Sequence, residues 1–168
     1  MPLISRKANS PLKKTAMSNI LINLATKDDA GLIANIRCNA ILSQPADIWS
    51  KDELKRAADA FDERYLLKEI ELGQPFYIFN NLTSSLGFVS WRDDYLAYLF
   101  VAPEGQNMGL GGKMLKFAEE RIKAAKHDKV WLWSHPYPEK FYERHGYIKQ
   151  PSTYAPFGLP LNKFEKQL

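Results

Sequence analysis

The stretch Val101-Ala102-Pro103-Glu104-Gly105-Gln106-Asn107-Met108-Gly109-Leu110-Gly111-Gly112-Lys113 leaves an apolar run and enters an amphipathic one. Glycines there let the backbone approach a ligand closely, and the first amides of a helix point outward without partners. Such an end suits an anion, a phosphate above all. A strand-to-helix turn with no ligand has the same composition, so loop content alone leaves both readings open. Two nucleotide motifs fail on spacing. A phosphate-binding loop ending at Gly112-Lys113 needs glycine at 107 and a hydroxyl at 114, where Asn107 and Met114 stand. A dinucleotide fingerprint from Gly109 needs a small residue at 114 and fails on the same methionine.

Other chemistries find little support. His127, His135 and His145 share no metal-ligand spacing with a carboxylate pair, and Cys38 is the single cysteine, so no metal is expected. No Gly-x-Ser-x-Gly elbow presents a serine nucleophile. Trp131 and Trp133 sit two residues apart and share one face of a strand, with core contact the default.

The elements that position the loop follow one another from Asn19 without a linker or repeat. Ile20, Ile22 and Leu24 alternate as in a strand. Thr26 with Asp28 and Asp29 opens a helix whose stripe is Leu32, Ile33, Ile36, Ala40 and Ile41. Ser50 and Glu53 form a capping box for a second helix. That helix carries Leu54, Ala57, Phe61, Tyr65 and Ile70 on one face and ends at Gly73. Strands over Phe76–Phe79, Leu86–Trp91 and Tyr95–Val101 are joined by short connections, which favours antiparallel hairpins. A helix then runs from about Gly109 to Ala125, with Leu110, Met114, Ala118 and Ile122 inward and Glu119 paired to Lys123 outside. A strand at Val130–Trp133, a short helix over Glu139–Arg144 ending at Gly146, and strands at Tyr147–Lys149 and Leu161–Phe164 complete the chain. This α/β (α+β) order calls for a mixed sheet with helices on both faces.

The loop matches the acyl-coenzyme-A motif of the GNAT superfamily of N-acetyltransferases, Gln/Arg-x-x-Gly-x-Gly/Ala, read here as Gln106-Asn107-Met108-Gly109-Leu110-Gly111. Downstream, Phe141-Tyr142-Glu-Arg-His-Gly146-Tyr147 resembles the family's second signature, Phe-Tyr-x-x-x-Gly-Phe/Tyr. The element order from Asn19 to the C-terminus is also similar. The resemblance implies a mostly antiparallel sheet of about seven strands with about four helices, split in a V between the fourth and fifth strands. It implies acetyl-CoA as cosubstrate, its pantetheine pairing with Leu99, Phe100 and Val101. The amides of Gln106, Asn107, Met108, Gly109, Leu110, Gly111, Gly112 and Lys113 would hold its pyrophosphate. Acetyl transfer to an amine needs that amine deprotonated, the oxyanion hydrogen-bonded, and the leaving thiolate protonated. Tyr142 matches the family's general acid; outside the motif it reads as a helix tyrosine packed under the sheet.

Two departures stand out. His135 occupies a position where the family often has Asn; it could hydrogen-bond the cosubstrate, relay a proton, or cap the short helix before Pro136. The glutamate base common on the fourth strand is missing from Tyr95–Val101, so the base is unassigned, with water acting through Asp94 or His135 one route. Two function classes follow: an N-acetyltransferase acting by direct attack in a ternary complex on a small-molecule or peptide amine, and a non-catalytic acyl-CoA-binding module. Tyr142 favours the first and the missing strand carboxylate the second.

Composition narrows the setting. The 168 residues are 45% apolar, 25% charged and 12% aromatic, which excludes a disordered chain and suits one domain. Arg6, Lys7, Lys13 and Lys14 carry the net charge of +4, so the remaining 19 basic residues balance 19 acidic ones and offer nothing to nucleic acid. Residues 1–16 read as a basic extension, either upstream of a domain spanning 17–168 or a weak organelle-targeting segment. No apolar run approaches the ~20 residues a membrane span requires, and the lone cysteine fits a reducing cytoplasm. Homodimerisation leaves no readable mark. Because residues 1–16 hold little apolar surface, a chain starting at Met17 should melt within a few degrees of the full chain in calorimetry. A large drop would show that the extension docks on the domain.

Overall fold

The computed structural model describes residues 19–45, 47–152 and 156–168. The extension 1–16 and the boundary at Met17 lie outside them, as does part of the connection before the last strand. Strand β1 (Leu21–Leu24) pairs only with β2 and is exposed along its length, so its alternation marks a sheet edge and not a half-buried strand. Thr26 then turns the chain: its backbone N–H donates to Asp29 Oδ2 (2.7 Å), opening a 3-10 turn that runs into α1 (Ala30–Leu42). Ile33, Ile36, Ala40 and Ile41 face inward as expected; Leu32 lies at the exposed margin, and the unexpected Arg37 is buried.

Ser50 and Glu53 cap α2 (Lys51–Asp59) reciprocally, at 3.2 and 2.8 Å. The single helix expected here is two. Asp62 accepts a hydrogen bond from the Tyr65 N–H (2.9 Å) and restarts the chain as α3 (Glu63–Glu71), because an aspartate at an N-cap competes with helix continuation. The break rotates Tyr65 to an exposed rim while Leu66 is fully buried, and Gly73, at φ +86°, ends α3.

Strands β2 (Phe76–Asn80), β3 (Ser85–Arg92) and β4 (Tyr95–Val101) form an antiparallel meander, followed by α4 (Leu110–Ala124), β5 (Lys129–Ser134), α5 (Glu139–Arg144), β6 (Ile148–Gln150) and β7 (Asn162–Gln167). The seven-stranded sheet has the order β1-β2-β3-β4-β5-β7-β6. Every neighbouring pair is antiparallel except β4–β5, which is parallel and registers only at Tyr95 and Trp131. The V-shaped split expected between the fourth and fifth strands is therefore present. Five α-helices, not four, flank the sheet among the described residues.

Two cores result. Helix α4 covers one face, burying Leu110, Met114, Leu115, Ala118 and Ile122 against Val89, Leu96, Val130, Leu132 and Phe164. On the other face α1 and α3 cover Phe76, Ile78, Phe88 and Tyr98 with Ile33, Ile36 and Leu66. Glu119 does not pair with Lys123; it turns to Tyr147 and Lys166 at the margin of the first core. Among the described residues no helix is long and apolar enough to cross a membrane.

Candidate active site

The split is opened by an irregularity in β4. Ser90 faces Tyr98 while the next residue, Trp91, faces Leu96, so Ala97 is an extra residue: a β-bulge. Beyond it Tyr98 and Phe100 join the α1–α3 core while Leu99 and Val101 join the α4 core. The other end is pinned. Trp131 donates its backbone N–H to Asp94 O and its indole N–H to Asp94 Oδ1, both at 3.0 Å, and stacks on Tyr95 with ring centroids 4.3 Å apart. Between this pin and Val101, β4 pairs with no strand on its β5 side among the described residues.

A cavity of about 740 Å³ fills the gap, within the size range of small-molecule sites. Leu99, Phe100, Val101, Gln106, Asn107, Gly109, Leu110, Gly111, Gly112, His135 and Tyr142 all line it. Met108 does not, and Lys113 lies in a neighbouring groove with Lys116 and Lys166. Asp94 is also outside, held in the closed end of the split, so it is not placed to relay a proton there.

The loop after β4 presents its backbone. Asn107 and Gly109 adopt positive φ (59° and 77°), and Gly109 is the N-cap of α4 with no side chain to satisfy the first amides. Gln106 closes the loop from behind: its Nε2 donates to Val101 O and to Ser43 Oγ, each at 3.0 Å. The next two glycines answer to packing. A Cβ on Gly111 would stand 3.3 Å from the Phe141 ring, and one on Gly112 would stand 2.8 Å from His145 Nε2. Helix α5 thus seats directly on the first turn of α4. His145 Nδ1 lies 2.8 Å from the Phe141 carbonyl, which fixes the proton on Nδ1 and leaves Nε2 facing Gly112.

Tyr142 is buried against Phe141, Tyr147 and Phe164, with its hydroxyl free of any hydrogen bond to a described residue. Burial pushes its pKa well above the ordinary phenol value, with the nearby Tyr95 adding to the shift. The phenol therefore keeps its proton across the physiological range. His135 is buried and stacks on Trp49 with centroids 3.6 Å apart. Its Nδ1 accepts a 3.4 Å hydrogen bond from the Tyr137 N–H, a local cap at the entry to α5. Burial lowers its pKa, while Glu53 and Glu139 act in the opposite direction.

The sequence reading missed the far end of the cavity. There Glu69 of α3 binds Arg92 Nη2 through Oε2 (2.9 Å), and the same Nη2 donates to Gln74 Oε1 (2.8 Å). Gln74 Nε2 in turn donates to the buried Ser90 Oγ (2.9 Å). Tyr65, Tyr95 and Tyr98 line the same end. The available signal was the i,i+4 spacing of Tyr65 and Glu69 on a helix whose Leu66 and Ile70 face the sheet. Among the described residues no group of three His, Cys, Asp or Glu side chains could hold a metal ion.

A family model described as an acetyltransferase (GNAT) domain matches residues 46–168. No curated protein matches the chain. Among solved structures, a GCN5-related N-acetyltransferase from Rhodopseudomonas palustris is 21% identical, with a TM-score of 0.81 over 90% of this chain and 98% of that one. The PaiA N-acetyltransferase from Thermoplasma acidophilum, in complex with coenzyme A, is 18% identical, with a TM-score of 0.75 over 89% and 99%. YncA from Salmonella typhimurium, an acetyltransferase structure with acetyl-CoA, is 21% identical, with a TM-score of 0.61 over 89% and 94%.

His135 generates a pH prediction. With its folded pKa depressed, the unfolded chain takes up the proton first as pH falls through about 6.5. The stability this group contributes is present above that pH and is lost as pH falls toward the lowered folded value. His135→Gln should therefore flatten the loss of melting temperature between about pH 7.5 and pH 5.5. An unchanged slope would remove His135 as the source.

Proposed function

The chain belongs to the GNAT acetyltransferase family, and we propose that it moves an acetyl group from acetyl-CoA to a primary amine by direct attack in a ternary complex. One observation carries this reading: β4 where β5 parts from it, the bare N-terminus of α4 and Tyr142 of α5 all line one cavity. The fit to the cosubstrate is chemical. First-turn amides capped by a glycine suit a pyrophosphate, and an unpaired strand edge suits the amides of a pantetheine arm. Leu99, Phe100 and Val101 supply that edge, with the Val101 carbonyl already shared with Gln106. The backbone from Gln106 to Lys113 supplies the anion cradle, and the Lys113 side chain points to the outer groove.

The cosubstrate brings the activated acetyl group; this chain aligns it and moves protons. Backbone N–H groups freed along β4 by the bulge suit a developing oxyanion. As the new C–N bond forms and the C–S bond breaks, Tyr142 gives its proton to the sulfur and regains one from solvent, while the amine's proton leaves to solvent. A buried phenol with a raised pKa is held in the protonated form this role requires. His135, buried with Nδ1 accepting the Tyr137 amide, serves better to shape the entry of α5 than as a base. The acceptor is a small-molecule or peptide amine in a reducing cytoplasm. Among structures of the same fold, SpeG from Vibrio cholerae is a spermidine N-acetyltransferase, and a Neisseria gonorrhoeae N-acetylglutamate synthase is complexed with coenzyme A and N-acetyl-glutamate. Both support an amine-bearing small molecule as the acceptor class.

Gly109→Asp tests the cradle without a steric clash, since a Cβ there meets nothing within 4 Å and aspartate tolerates the left-handed region. Its charge against the pyrophosphate should weaken coenzyme-A binding in calorimetry by roughly tenfold or more. Unchanged affinity in the folded variant would remove the loop as the anion site.

Tyr142→Phe keeps the ring and its packing but removes the proton. Turnover should fall roughly 10²–10⁴-fold with cofactor affinity nearly intact. A tyrosine with only a packing role would instead change stability or binding and leave turnover per folded molecule unaltered.

A further inference from the structure

The proposed reaction leaves unassigned what holds the acceptor. The cavity is lined by a single carboxylate among the described residues, that of Glu69, and its placement is specific. The side chain is only 13% exposed. Its Oε2 is taken by Arg92, whereas Oε1 has no hydrogen-bond partner among the described residues. Arg92 is itself held by the buried Gln74, and Gln74 by the buried Ser90, so a chain of hydrogen bonds anchored in β3 fixes how the carboxylate presents its open oxygen. The ion pair occupies one oxygen of Glu69 from the solvent side, since Arg92 is more than half exposed, and leaves the other oxygen toward the cavity.

The surroundings are aromatic. Tyr65 lies one helical turn before Glu69, and Tyr98 and Tyr95 face the same end of the cavity from β4. Glu69 is an electrostatic neighbour of both Tyr65 and Tyr98, Tyr65 of Tyr95, and Tyr95 of Tyr142. One ionised oxygen among phenol rings suits an organic cation. The oxygen accepts its N–H groups, and ring faces attract its charge.

We propose that Glu69 is the ammonium-binding carboxylate of the acceptor site, and that the acceptor enters as an alkylammonium with an apolar or aromatic body. This deepens the acetyltransferase reading and rests on it. The ammonium hydrogen-bonds Oε1, its body lies among Tyr65, Tyr95 and Tyr98, and the bound amine sheds one proton to solvent before it attacks. Glu69 acts on affinity for the charged acceptor, so an acceptor that is already neutral gains little from it.

Two probes of nearly one shape separate charge from packing. Phenethylamine is an ammonium at pH 7, whereas O-benzylhydroxylamine, with oxygen in place of one methylene, is neutral there. Thiol release from acetyl-CoA is followed with each, in wild type and in Glu69→Gln, alongside melting temperature and calorimetric acetyl-CoA affinity of the same preparations. The expected result is a roughly ten- to hundredfold loss of kcat/KM for phenethylamine, mostly in KM, and less than about threefold for O-benzylhydroxylamine, with cofactor affinity unchanged. Equal losses for both probes would make Glu69 a structural residue, and no loss would remove it from the site; either overturns the inference and leaves the family reaction standing. Wild type releasing no thiol with phenethylamine also overturns it. In that case acetyl-CoA binding with no turnover on any amine would bring down the acetyltransferase reading as well.

Discussion

The parting of β5 from β4 is the constraint on which the rest of the structure depends. A strand edge left unpaired in a protein interior is costly, because each buried N–H and C=O without a partner forfeits its hydrogen bond to water. The fold confines that cost to one gap. At the closed end, Asp94 takes both N–H groups of Trp131 while Tyr95 stacks on its ring. On the far side β5 pairs with β7 over six residues, so β5 is a firm strand although its inner neighbour has left. At the open end Gln106 takes up the Val101 carbonyl. What remains exposed is a short edge facing a cavity, where water or a bound molecule can satisfy it.

The two stretches that look independent in the chain, the glycine loop and the Phe141-Tyr142 segment, are one packing event. Gly111 and Gly112 are small because Phe141 and His145 sit against them, and Gly109 holds a φ of 77°, which glycine adopts at least cost and which leaves no side chain over the first amides. A helix turn that must bare its amides cannot carry side chains over them, and a helix that must bring a tyrosine to the same cavity cannot sit further away. The glycine spacing records both demands at once.

What could be read in the sequence was whatever is decided within a few residues. The helix start at Thr26, the Ser50–Glu53 capping box, the helix stops at Gly73 and Gly146, the hairpins and the loop-to-helix transition all follow from local backbone chemistry. The break at Ala60–Asp62 was also local, but it hid inside a continuous apolar stripe that one helix and two explain equally well. The bulge at Ala97 left no such trace: it is defined by which residue of β3 faces which residue of β4, and that register is tertiary. The same holds for Glu69. Its four-residue spacing from Tyr65 is ordinary on a surface helix, and only the turn of α3 over β4 brings it to the cavity. Glu119 shows the converse, where a plausible pairing within the helix yielded to partners on α5's flank and β7.

Burial sets the electrostatic character of the cavity, and it acts against charge of either sign. It pushes the phenols of Tyr95, Tyr98 and Tyr142 up and draws His135 and Arg37 down. Arg37 survives as a buried cation by donating to the Ala57 carbonyl and lying over the rings of Phe61 and Phe100. Such a cavity holds neutral donors ready and admits a full charge only where a partner waits. An amine must be neutral to attack a thioester but is charged in water, so the proposed acetyl transfer would set this cavity two tasks that pull apart. One region must accept the cation, and another must be dry enough that the proton is better lost than kept. Among the described lining residues the one carboxylate, that of Glu69, is carried on α3, and the phenol of Tyr142 is carried on α5. On the proposed acetyl-transfer reading, one cavity would receive the cation at its carboxylate and favour the neutral amine where no such partner waits.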